Sequence, residues 1–157
     1  MSWERGKPDI EALLRNGELE RVQPSLTLAA RMPAEAEGHL TSARLLVETD
    51  PIAAFSLADD AARKASAALL APQGLRATSR GGHLAIQDAV RAQFSGDGGL
   101  PAFRAFPRLR RARNDFEYPD VDTPGSSPED AAAGIEDARS IVEAAAKVYA
   151  TGKLSPF

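Results

Sequence analysis

The sequence predicts an all-α protein, an antiparallel bundle of four to five helices with a short helical extension at its N-terminus. Three observations lead there. Alanine is the commonest residue, with 30 copies, while valine, isoleucine and aromatic residues are scarce, a balance that favours helices over sandwiches and barrels. Apolar residues recur at alternating spacings of three and four, the period of one helical face. Brief breaks rich in Gly, Pro and Ser separate these stretches. A chain of 157 residues and 16.7 kDa has the size of one domain. The expected division is an extension over 1–22, a helical bundle over 23–151 and a tail over 152–157.

Pro8 to Leu14 reads as a short helix opened by proline and ended at Gly17. The next helix starts at Ser25, a good N-cap, and reaches about Glu48. Its inner stripe is Leu26, Ala29, Pro33, Ala36, Leu40, Ala43 and Val47, and Pro33 should kink or divide it. Asp50-Pro51 is an acidic cap followed by proline at the first helical position. The helix behind it carries Phe55, Ala58, Ala62, Ala65 and Leu69 on one face. So much alanine lets neighbours approach closely, which marks this helix as the centre of the bundle.

Gly74 to Gly82 reads as a loop, and His83 to Phe94 as a helix with Ile86, Val90 and Phe94 on one side. Ser95 to Leu100 is a glycine-rich break. Pro101 to Glu117 holds a further helix, most regular from Pro107 onward, with Leu109, Ala112 and Phe116 inward, stopped by Pro119. Asp120 to Ser126 is a polar loop. Ser127-Pro128-Glu129-Asp130 resembles a capping box with Asp in place of Glu, and it opens the last helix. Ile135, Ala138, Val142, Ala145 and Tyr149 form that helix's inner stripe.

Composition excludes several chemistries. There is no cysteine, so disulfides, thiolate metal sites and cysteine nucleophiles are ruled out together. The two histidines, His39 and His83, are too few for a histidine-rich metal centre, and no metal or other cofactor is expected. No run of 18 apolar residues is present, so no membrane partner is expected. Met1-Ser2-Trp3-Glu4-Arg5 lacks the apolar stretch of a secretory signal, which makes the cytoplasm the expected location. A net charge of −3 gives no global attraction to nucleic acid.

Local charge is another matter. Arg104, Arg108, Arg110, Arg111 and Arg113 place five arginines within ten positions of an acidic protein. The planar guanidinium fork suits phosphate, and Arg76 and Arg80 in the glycine loop would add to the field. That loop also leads into a helix N-terminus near His83, where free N–H groups favour anions. The other reading of these arginines is a solvated helix face paired with acids. Arg113 in particular suits either a phosphate or an ion pair with Asp115, Glu117 or a carboxylate on a neighbouring helix. Asp59-Asp60 does not form a paired acid site, because adjacent helical residues point about 100° apart.

Arg113-Asn114-Asp115-Phe116-Glu117-Tyr118-Pro119, preceded by Leu109-Arg110-Arg111, resembles the signature of the HEPN family. That signature is an arginine, usually followed by a polar residue, with a histidine after four to six intervening residues. Asp60-Ala61-Ala62-Arg63-Lys64-Ala65, Gly74-Leu75-Arg76 and Gly81-Gly82-His83 also resemble segments of bacterial HEPN proteins. The likeness runs from about Leu40 to Val148.

The resemblance implies a HEPN-like bundle that pairs as a homodimer and works on or with RNA or nucleotides, in a toxin–antitoxin or defence-like module. A nucleotidyltransferase-type antitoxin partner would belong to such a module, and Tyr118 would be a candidate for modification by it. Many HEPN proteins are metal-independent endoribonucleases; others only bind or dimerise. By this likeness Arg113, Asn114 and Tyr118 occupy the catalytic positions. Arg108, Arg110, Arg111, Arg76 and Arg80 are the expected nucleic-acid contacts. Tyrosine stands where the family has histidine. A phenol, with an ordinary pKa of about 10, is a poor proton acceptor at neutral pH. Ribonuclease activity is therefore expected to be weak or absent unless His39 or His83 enters the cleft. The alternative function is a non-enzymatic dimerisation or protein-interaction module.

Overall fold

The computed structural model describes residues 4–96, 99–122 and 127–157. Trp3 and parts of the two breaks expected around residues 95–100 and 120–126 lie outside them. The described residues form six α-helices, and the protein is an all-α bundle with a minor two-stranded sheet. The helices are α1 (Lys7–Arg15), α2 (Leu26–Leu46), α3 (Pro51–Leu70), α4 (Gly82–Phe94), α5 (Phe106–Glu117) and α6 (Pro128–Ala150). The strands are β1 (Leu19–Arg21) and β2 (Leu75–Ala77).

The caps sit where the sequence places them. Ser25 Oγ accepts from Leu28 N–H at 3.2 Å, and Asp50 Oδ1 accepts from Ala53 N–H at 3.1 Å. At α6 the box is complete. Ser127 N–H donates to Asp130 Oδ2, and Asp130 N–H donates to Ser127 Oγ, both at 3.1 Å. Each bond satisfies a donor that the first helical turn leaves free.

α3 is the central helix and packs on α2, α4, α5 and α6. Ala54, Ala58, Ala61, Ala62, Ala65 and Ala68 are all buried on it, so the neighbouring backbones can come close. Phe55 is the one large apolar side chain buried in its first half. Its ring meets Phe116 of α5 edge-on, with centroids 4.7 Å apart and planes at 84°. On the α6 side it lies against Gly134, where an added Cβ would come within 2.6 Å of the ring. We expect Gly134→Ala to destabilise the protein by about 1–3 kcal/mol, the usual range for overpacking a core. Urea unfolding checks this, and a cost near zero would mean that α6 moves aside freely.

Two expectations need correction. Pro33 does not divide α2, which runs unbroken from Leu26 to Leu46. Pro33 removes one backbone bond, but Ala29 and Ala36 on either side of it are fully buried and hold the helix line. Leu26 is 69% exposed rather than inward, because it opens the first turn and clears the core. Over residues 101–117 the regular helix expected from Pro107 is α5, and a 3₁₀ turn (Pro101–Ala105) leads into it.

The segment Gly74–Gly82 holds a strand as well as a turn. β2 pairs antiparallel with β1, with Glu20 opposite Arg76. Ile10, Leu13 and Leu19 join the same core as α3 and α6, so α1 and β1 pack onto the bundle. At the other end, Phe157 N–H donates to the Gln73 carbonyl at 3.0 Å, and Arg21 lies over the Phe157 ring.

Candidate functional site

α5 has two faces of opposite character. Leu109, Ala112 and Phe116 turn towards the core. Arg110, Arg113, Asn114 and Glu117 follow the i, i+3, i+4, i+7 positions of the other face. This second face lies over the first turn of α4. Between them is a cleft of about 230 Å³, lined by Gly81, His83, Leu84 and Gln87 from α4 and by Arg110, Arg113 and Asn114 from α5.

The start of α4 is uncapped. Gly81 has no side chain to offer, and no side-chain cap bond is made. The Gly82 N–H reaches the Thr78 carbonyl, but among the described residues the N–H groups of His83 and Leu84 have no acceptor. Two free donors and the positive end of the helix therefore face the arginines of α5.

Arg113 is the hub of the cleft. Its Nε donates to Glu117 Oε1 at 3.0 Å and lies 3.6 Å from Asp59 Oδ2. Its Nη1 is 3.1 Å from His83 Nδ1. A guanidinium can only donate, so His83 Nδ1 accepts and the ring proton sits on Nε2. Asp59, from the middle of α3, is almost fully buried and also lies 3.9 Å from His83 Nδ1. Burial works against the charge on Arg113. The hydrogen bond to Glu117 and the charges of Asp59 and Glu117 outweigh it, so its pKa lies above the ordinary arginine value. With a third of its side chain exposed, Arg113 stays charged and open to solvent on one side.

Not every expected arginine joins this group. Arg108 is bound by both nitrogens to Asp137, at 2.7 and 2.6 Å. Arg76 is bound to Glu20 across the strand pair, at 2.9 and 2.6 Å. Arg80, Arg110 and Arg111 are exposed, and among the described residues they make no ion pair. Arg80 precedes Gly81 of the cleft, and Arg110 lines it.

Tyr118 is elsewhere. It is the C-cap of α5, with non-helical φ −126 and ψ 65, and is 76% exposed. Its N–H donates to the Asn114 carbonyl at 2.9 Å, which closes the last turn before Pro119. The cleft therefore holds Arg110, Arg113 and Asn114 but not the tyrosine. The imidazole beside Arg113 is that of His83, thirty positions away in the chain.

Asp59 and Asp60 diverge as their spacing requires. Asp60 serves a separate group, with His39 Nε2 at 3.4 Å and Arg63 Nε at 2.9 Å. His39 is thus tied to Asp60 and not to Arg113. Asp59 was invisible as a site residue, since nothing in an alanine-rich stripe distinguishes a buried carboxylate from a solvated one. Among the described residues, no cluster of three His, Asp or Glu side chains is placed to hold a metal ion, and no helix is long and apolar enough to cross a membrane. No family model matches the chain, and no curated protein or solved structure matches it.

Proposed function

We propose that this chain is a HEPN-type helical module that binds RNA or nucleotides through their phosphates, in a toxin–antitoxin or defence-like setting, with metal-independent ribonuclease activity weak or absent. One observation carries the reading: the uncapped N-terminus of α4, with the N–H groups of His83 and Leu84 free, faces Arg110 and Arg113 across a cleft large enough for a phosphate group. Backbone donors and a guanidinium fork converging from two elements are the ordinary means of holding an oxyanion.

The same geometry argues for feeble catalysis. Transfer through the 2′-hydroxyl needs one group to take a proton and another to give one to the leaving oxygen. The cleft of a single chain offers one imidazole, His83, and its Nδ1 is occupied by Arg113. Tyr118 lies outside the cleft. A homodimer would bring a second copy of the motif, and we include that pairing in the proposal.

Filter binding with mixed single-stranded RNA over a salt series tests the reading. Affinity should fall steeply with salt. Arg110→Ala and Arg111→Ala should each lower the slope of log affinity against log salt by about one phosphate contact. In the presence of a chelator, cleavage should be slow or undetectable. No measurable affinity would favour the second reading, a non-enzymatic dimerisation or protein-interaction module. That reading draws support from Arg76 and Arg108, already committed to acids of the same chain, and from the exposed Leu84, Tyr118 and Val121 near the end of α5 and the start of α4.

A further inference from the structure

We propose that the apolar cavity between α2 and α4 receives a nucleobase, so that the ligand of the α4–α5 cleft is single-stranded RNA held by phosphate and base together. The inference rests on the phosphate-binding reading above. The cavity measures about 660 Å³, within the range of small-ligand sites. Its walls are Leu28 and Met32 of α2, Ala67 and Leu70 of α3, Leu75 of β2 and Ile86 of α4.

The position of the cavity argues for this occupant. His83 lines both the cavity and the phosphate cleft, so one imidazole ring separates them. In a nucleotide, one sugar separates phosphate from base. Gly82 lies at the same junction and adds no side chain to block the passage. Arg63 lines the cavity too. Asp60 holds it through Nε at 2.9 Å, which fixes the guanidinium plane, a surface on which a base can stack. The hydroxyl of Ser79 and the amide of Gln23 also line the cavity and can meet the polar edge of a base. A base inside a duplex cannot leave its stack without loss of pairing, which selects an unpaired strand.

Fluorescence anisotropy on the full chain tests this with two probes, a short labelled oligouridylate and linear polyphosphate, which carries the charge without bases. Ala67→Phe and Leu28→Trp each fill the cavity, one from α3 and one from α2, so a folding failure in one leaves the other. Circular dichroism confirms the fold of each. Either folded variant should weaken oligouridylate binding by about tenfold or more, the usual worth of one seated base, and leave polyphosphate binding within about twofold. If both variants bind oligouridylate as the parent does, the base site is overturned and phosphate binding stands. If the parent binds neither probe, the phosphate reading falls and the base site with it. Saturable oleate binding that both variants abolish, with oligouridylate binding untouched, would assign the cavity to an acyl chain and overturn the proposal.

Discussion

Phe55→Ala is expected to cost the protein about 3–5 kcal/mol, the range for truncating a fully buried phenylalanine. The position offers little chance of collapse. Phe55 is 2% exposed and fills the space that Gly134 of α6 leaves open. The buried apolar residues nearest it along α3, Ala54 and Ala58, are too short to swing into a void. The edge-on contact with Phe116 adds a term of about 0.5–1.5 kcal/mol, which a double-mutant cycle with Phe116→Ala isolates. Urea denaturation gives the total, and an unchanged slope would locate the effect in the folded state. A loss below about 1 kcal/mol would mean that α5 and α6 close over the gap. The contact also bears on function. Phe116 anchors the last turns of α5, and Arg113 and Asn114 belong to those turns. Phe116→Ala should therefore weaken RNA binding more than its own distance from the cleft would suggest.

What the sequence reveals, and what it conceals, follows from the range of the interactions involved. The caps at Ser25, Asp50 and Ser127 are local, made within three residues, and each stands where the pattern puts it. The stripe on α3 is equally legible, because a helix's own period sorts its residues into faces. β1 and β2 are not. Each has three residues, too few for an alternation to register, and their pairing joins Glu20 to Arg76 across most of the bundle's first half. The site divides in the same way. Arg110, Arg113 and Asn114 share a helix face and can be grouped from spacing alone. The contacts that give Arg113 its setting come from three different elements: Asp59 of α3, His83 of α4 and Glu117 of α5. No linear pattern connects them. Tyr118 shows the converse. It stands next in the motif, yet Pro119 ends the helix and the side chain turns to solvent. His83, thirty positions from Arg113 in the chain, is the one that lies beside it.

Arg113→Ala should produce two separable losses, and their separation decides whether this arginine binds phosphate or only steadies the fold. The first is stability. Asp59 is nearly buried, and among the described residues Arg113 is the one arginine or lysine placed beside it. Removing the guanidinium leaves a carboxylate without its charge partner, at a cost of about 1–3 kcal/mol, moderated because Arg113 itself is one-third exposed. The second is RNA affinity, which should fall by about tenfold to a hundredfold, the worth of a charge-assisted contact to phosphate. Asp59→Asn in the same chain removes the stranded charge but supplies no cation. Arg113→Ala combined with Asp59→Asn should therefore regain most of the stability and none of the affinity. Asp59→Asn alone should bind RNA more tightly than the parent, since one of the two acids that compete with phosphate for Arg113 is gone. Thermal or urea melts and filter binding on the same four proteins read both quantities. If the double variant recovers RNA binding along with stability, Arg113 acts only as a brace for α5. Phosphate recognition would then fall to Arg110, Arg111 and the free N–H groups of α4.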